Sequence, residues 1–460
     1  MATGTQCSRS GRSRGEGRSC VAAALVTSCA LALALLAAGC GNEQEEDTVE
    51  QASLLASAAP RAEASVSSSD LAALVSGNTA FALDLLGALT GRQAPASNEN
   101  LVISPHSISL ALAMTYAGAR RLTAEEMVDV LHFDLPPDLL HPAFNSLAQA
   151  IAARSRDFPA QHEEEEDAQV ALNVVNQLWA QRGYAFLPQF LDLLASEYGA
   201  GLRLVDFIKD HEAARRAVNE WVAEVTKNRI KNILSAGSVD DMTRLVLTNA
   251  VYLKAPWDTP FEKQLTADGD FHLSTGSTVT VPFMHQSELL GYAEGEGWQA
   301  VELPYKGREL SMVVFLPETT ELGAFISTFD ADRLEQMLSA LTPETVSLSL
   351  PTFETRSELS LSDTLNAMGM RLAFSGDADF GGMTAEPGLL IDSIVHNGFI
   401  SVDEKGTEAA AATAVVMRAT SAPMEVKEFT ADRPFVWMIR DVETGALLFL
   451  GQMVDPSAEE

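Results

Sequence analysis

The chain has 460 residues, 47% of them hydrophobic, and a formal charge of −32. The apolar fraction suffices for a large core, and the acidity excludes nucleic acid and anionic headgroups as charge-driven ligands of the protein body. All four cysteines (Cys7, Cys20, Cys29, Cys40) come early, so the remaining residues fold by packing and without disulfides of their own.

Arg9, Arg12, Arg14 and Arg18 form a basic start, Val21 to Leu36 an uncharged apolar run, and Leu36-Ala37-Ala38-Gly39-Cys40 a small-residue end. This pattern describes an export signal better than a spanning helix. It resembles bacterial lipoprotein signals, which implies removal of residues 1–39 and a lipid on Cys40 as the membrane's one attachment point. An ordinary signal peptide and a membrane anchor remain alternative readings. Gly41 in place of aspartate fits, by the same likeness, an exported, extracytoplasmic protein sorted to an outer membrane or cell surface. Residues 40–69, rich in Glu, Gln, Ser and Ala and lacking apolar periodicity, read as a flexible tether with ends about 30 Å apart.

From Asp70 onward no composition break appears, and residues 70–458 read as one domain. Helical apolar spacing covers Leu71 to Leu89, Ile108 to Ala117, Thr123 to Leu131 and His211 to Ile233. Thr123 and Glu126 have the spacing of a capping box. Strands are expected at Val170–Val175, Leu245–Leu253, Thr278–Phe283, Leu310–Leu316, Val346–Leu350, Phe435–Ile439 and Leu447–Leu450. The acidic run Glu163 to Asp167 reads as a solvated insertion.

No nucleophile elbow, zinc-binding H-E-x-x-H, Gly-rich phosphate loop or Cys/His metal cluster is present. The histidines are scattered, so nothing positive points to an enzyme, and no cofactor is implied. The informative segment lies near the C-terminus: Glu404-Lys405-Gly406-Thr407-Glu408-Ala409-Ala410-Ala411-Ala412-Thr413-Ala414-Val415-Val416-Met417-Arg418. Alanine content favours a helix over Glu408 to Ala414. Read as a strand, Thr407, Ala409, Ala411, Thr413, Val415 and Met417 share an uncharged face, and Glu408 and Arg418 fall on the other. Small side chains suit both an exposed loop and a buried strand.

These residues resemble the hinge of inhibitory serpins, and the likeness extends over about residues 70–457. It is carried by Asn100-Leu101-Val102-Ile103-Ser104-Pro105-His106-Ser107, by Leu247-Thr248-Asn249-Ala250-Val251-Tyr252-Leu253-Lys254 with Trp257 and Phe261, and by Val281-Pro282-Phe283-Met284-His285. Leu303-Pro304-Tyr305, Leu350-Pro351-Thr352-Phe353, His396-Asn397, Asp432-Arg433-Pro434-Phe435 and Phe449-Leu450-Gly451 extend it. Ala255, Pro256 and Gln452 depart from the family habit.

The resemblance implies an α+β serpin fold: a multi-helix domain with three β-sheets and an exposed reactive loop. It implies a monomeric, irreversible inhibitor, not an enzyme. A serine protease cuts the loop, which inserts into the central sheet and carries the trapped protease along. Family spacing puts the cut bond at Thr420–Ser421, which suits an elastase-like or subtilisin-like target; a cut at Arg418 would suit a trypsin-like one. The resemblance further assigns a shutter to Ser104, Ser107, Asn249 and His396, the loop's entry point to Trp257, and a cationic partner to Glu404. A non-inhibitory surface lipoprotein of the same family is the alternative.

Overall fold

The computed structural model describes residues 52–91, 99–159, 168–407 and 426–458. Cys40, the acidic run, the loop from Glu408 through Thr413, Thr420 and Ser421 lie outside the described residues. In chain order the first elements are β1 (Ser53–Leu55), α1 (Ser68–Thr90), β2 (Leu101–Ile103), α2 (Pro105–Tyr116), α3 (Arg121–Leu131) and α4 (Pro137–Ala152). Next come β3 (Arg156–Phe158), β4 (Ala168–Gln181), α5 (Pro188–Tyr198), β5 (Leu202–Val205), α6 (Phe207–Val225) and β6 (Leu245–Pro256). Then β7 (Ala267–His272), β8 (Thr278–Gly295), β9 (Trp298–Pro304), β10 (Leu310–Pro317), α7 (Leu322–Ser327), α8 (Ala331–Ser339), β11 (Thr342–Pro351) and β12 (Phe353–Ser360) follow. The last are α9 (Ser362–Met368), β13 (Ser393–Asp403), β14 (Gly406–Thr407), β15 (Lys427–Thr430), β16 (Phe435–Asp441) and β17 (Leu447–Met453).

Hydrogen bonds join these strands into two networks. One orders β1-β5-β4-β6-β14-β13-β12, with β3 on β4. The other orders β15-β11-β8-β9-β10-β16-β17-β2, with β7 on β8. Three sheets were expected; the long β8 is paired at one end with β7 and at the other with β9, so it joins what would otherwise be two of them. The helices and both networks share one core: Phe81 and Leu85 of α1 and Leu112 of α2 pack in the same cluster as Leu247 of β6 and Phe449 of β17.

Local chemistry explains the helix ends. Ser67 Oγ accepts the Asp70 N–H (3.1 Å) at the start of α1, and Gly91, at φ 98°, closes its end in the left-handed region that glycine tolerates. The capping box is corrected. Thr123 lies inside α3, and its Oγ1 accepts from Asp379 N, while Glu126 accepts from Arg371 N and Leu372 N. Both side chains cap the distant 371–379 segment instead of their own helix. Helix α6 stops at Val225, eight residues short of Ile233 in the expected run. Ile230 and Ile233 keep the apolar spacing because the segment after the helix packs into the same cluster.

Part of the segment read as a tether, residues 53–62, is docked on the domain. Strand β1 pairs antiparallel with β5, Arg61 Nε donates to Asn145 Oδ1 (2.9 Å), and Ala62 N donates to Ser196 O (2.8 Å). Pairing at a sheet edge uses backbone groups alone, so alanine and serine supply it without any apolar pattern.

Candidate functional site

The site is the seam between β6 and β13 in the middle of the central sheet. From Val246 to Val251 and from Ser393 to Gly398 the two strands pair in parallel. The pairing then stops. Two-residue β14 enters between their ends, with Thr407 opposite both Ala255 and Val402, and Gly406 opposite both Pro256 and Asp403. Between these stretches, residues 252–254 and 399–401 have outer neighbours in β4 and β12, and among the described residues they have no partner across the seam. A segment continuing from Thr407 antiparallel to both strands would enter this interval.

Each residue of the entry has a physical reason. Gly406 has φ 150°, and a Cβ there would lie 2.3 Å from Ala255 O, so only glycine fits. Thr407 is fully buried, and its hydroxyl shares a 2.7 Å hydrogen bond with the Tyr305 hydroxyl. Trp257 stacks on Tyr305 at 4.6 Å and 8°, and its indole Nε1 donates to Asp403 O at 3.0 Å. Asp403 Oδ1 closes the turn by accepting from Lys405 N (2.8 Å) and Gly406 N (3.2 Å). Burial pushes the Asp403 carboxyl above its usual range, against the pull of those two N–H groups. Glu404 accepts a hydrogen bond from Thr266 Oγ1 (2.8 Å), and among the described residues no ion pair to it is seen.

The paired half of the seam carries a buried polar cluster. His396 Nε2 accepts the Ser104 N–H (3.2 Å), which places the ring proton on Nδ1, where it donates to Asn249 Oδ1. Asn249 Nδ2 in turn donates to Ser107 Oγ (2.5 Å) and to Asn176 Oδ1. Ser104 Oγ donates to Leu448 O (2.6 Å), tying α2 to β17. One cluster thus joins β4, β6, β13 and α2. Burial lowers the His396 pKa to about 3, so the ring is neutral at physiological pH.

All four residues assigned by resemblance to the shutter therefore meet in space, and Trp257 stands at the entry. Sequence reasoning missed Asn176 and Tyr305. Asn176 had a signal, an uncharged polar residue on the buried face of a strand; it faces Asn249 directly across β4 and β6. Tyr305 lay within a quoted motif, but its contact with Thr407 spans 102 positions and leaves no local trace.

Comparison with known proteins adds the family context. The family profile described as Serpin (serine protease inhibitor) matches residues 76–456. An uncharacterised serpin-like protein of Thermococcus kodakarensis is 40% identical over 386 residues, 83% of this chain and 86% of its own length. The human leukocyte elastase inhibitor is 38% identical over 397 residues, 83% of this chain and 99% of its own. Among solved structures, the thermophilic serpin tengpin in its native state superposes with a TM-score of 0.75 at 28% identity, covering 88% of this chain and all of tengpin. Thyroxine-binding globulin in complex with thyroxine superposes with a TM-score of 0.71 at 27% identity, covering 84% of this chain and all of that one.

Proposed function

This chain belongs to the serpin family, and from that premise we propose that it is an irreversible, single-use inhibitor of serine endopeptidases that acts by loop cleavage and insertion. The family alone does not decide this, because one fold hosts several functions and a relative of similar likeness is a thyroxine complex. The observation that carries the reading is Thr407, fully buried and paired with both β6 and β13 beyond the point where those two strands stop pairing with each other.

If the loop continues in the register of β14, Ala409 falls opposite Leu253 and Ile400, Ala411 opposite Val251 and Gly398, and Thr413 opposite Asn249 and His396. Residues 407–416 would fill the seam from Ala255 to Val246. Their uncharged face would point to the core side, where only small or apolar groups fit. Glu408 would take the other face. A stretch of about fifteen inserted residues spans on the order of 50 Å, enough to carry an acyl-linked protease from one end of the domain to the other. The protease's serine attacks the carbonyl carbon of the bait bond, the amine leaves, and the acyl-enzyme forms before insertion distorts the site that would hydrolyse it.

Thr420–Ser421 is the proposed bond, with an elastase-like or subtilisin-like target. The leukocyte elastase inhibitors among the relatives favour the former. The signal pattern ending at Cys40 supports a lipid-anchored, exported location; globomycin-insensitive processing would remove it. For the inhibitor itself, the protein is incubated with pancreatic elastase or subtilisin and run on a denaturing gel. A denaturant-stable complex with a released peptide beginning at Ser421 is expected. Complete cleavage by both proteases without any complex would refute inhibition of that target class.

A further inference from the structure

The face of the central sheet away from the polar cluster is covered by α6 and the segment that follows it. Val218 and Val222 of α6 and Leu234 beyond it pack in one cluster with Val246 and Ala250 of β6, and Val395 of β13 leans on the same cluster. The two strands that must part thus lie under one cover. In the register above, Ala412 and Ala414 would come to lie beneath it, so the cover has to move before the seam can fill.

The cover is fastened to itself. Asn219 exchanges two hydrogen bonds with the Leu234 backbone (2.9 and 2.8 Å), and Arg215 donates to the same carbonyl at 3.1 Å. Helix and tail therefore move together. Across its middle, the cover meets the sheet through Arg203 of β5. Its guanidinium lies 4.6 Å from the ring centroid of Trp221 on α6 and 5.8 Å from that of Trp179 on β4. The two indoles meet edge to face at 5.4 Å and 77°. Trp179 is fully buried and is fixed to β6 by a 2.9 Å hydrogen bond from its Nε1 to Thr248 Oγ1. Arg203 Nε is buried without a hydrogen-bond partner. An arginine with an orphaned donor over two indole rings is held by cation–π contact, which lysine's compact, strongly hydrated ammonium reproduces less well.

We propose that Arg203, clasped between Trp221 of the cover and Trp179 of the sheet, is the pin that sets how fast the cover lifts and so how fast a loop strand enters the seam. The inference rests on the insertion reading above and adds to it a positioning residue that touches neither the loop nor the protease. Lifting α6 draws Trp221 away from β5 while Trp179 stays with the sheet, so the stack is lost on the way over the barrier. Once the strand is in and the cover has settled, the stack re-forms. Removing it therefore changes the rate of entry and leaves the stability difference between free and filled forms unchanged.

The test uses the full chain and a synthetic peptide with the sequence of residues 407–416, which can occupy the seam without any cleavage. Peptide uptake is followed by native gel, and free and loaded forms are then melted. Arg203→Ala is expected to take up peptide about fivefold faster than wild type, with Arg203→Lys in between and the rise in melting temperature from free to loaded form the same in all three. Equal uptake rates overturn the pin. So does an unchanged rate with lower melting of both forms, the signature of an arginine that only supports the fold. If the wild type takes up no peptide, the insertion reading fails and the pin with it, an outcome distinct from equal, measurable rates. Should Arg203→Ala not fold, Arg203→Lys and Trp221→Leu carry the same comparison, with faster uptake expected in both.

Discussion

The two halves of the seam are made from the same pair of strands and differ in what faces the core between them. In the paired half, His396 and Asn249 meet each other and reach Ser107 and Asn176, so every separation of β6 from β13 leaves buried polar groups without partners. In the other half the core-facing neighbours are Leu253, Ala255, Ile400 and Val402, which need no partner and are small or apolar enough to admit a strand. Directional bonds close one end, and their lack leaves the other end able to change. On the insertion reading, a sheet with one locked and one receptive end is a stable fold with a prepared rearrangement.

The largest expected effect comes from spoiling the receptive end. Thr407→Arg puts a guanidinium where the wild-type side chain is fully buried. The number of inhibitor molecules consumed per protease trapped should then rise roughly tenfold or more, because a buried unpaired charge opposes insertion. Titration of protease activity measures it. Breaking the locked end instead acts on stability: Asn249→Ala orphans His396 Nδ1, takes one donor each from Ser107 and Asn176, and should cost about 3 kcal/mol in urea unfolding.

Acid acts on the same locked end. His396 binds its proton at about pH 3 in the folded protein against about 6.5 unfolded. The unfolded chain takes the proton first as pH falls, so stability present above pH 6.5 is lost progressively down to about pH 3. Between pH 7 and pH 5 this histidine alone should lower stability by about 2 kcal/mol. Buried His106 and His141, both lowered to about 4, add in the same direction. Urea midpoints at the two pH values check the loss, and His396→Gln should reduce it. The smallest effect is expected from Tyr305→Phe, which removes the hydrogen bond to Thr407 and should cost about 1 kcal/mol, read from the same midpoints. It should leave the locked end's pH dependence untouched.

Much of this was legible in the chain, unevenly and for physical reasons. The alternation over residues 407–417 bears on the described residues only at Thr407, which lies in β14; period 2 is a local property and can be read without the fold. The strands β6 and β10 were found where apolar runs are dense. Helix α6 was overextended, since apolar spacing records burial and Ile230 is buried outside any helix. Thr123 and Glu126 misled because a capping pair and two long-range caps use the same side chains. The docking of residues 52–62 had no signal, because it runs through backbone groups and single polar contacts. Resemblance supplied the cluster's members; only the folded chain shows that Asn176 joins them and that Tyr305 holds the hinge.

The central claim is that the seam accepts the chain's own loop. It is tested most directly by cutting the loop once with a non-target protease and melting the intact and cut proteins side by side. The account predicts that the cut protein melts at least about 10 °C higher, since inserting the loop between β6 and β13 adds several kcal/mol of strand pairing and burial. An unchanged or lower melting temperature after a clean single cut between Glu408 and Ser421 would contradict it.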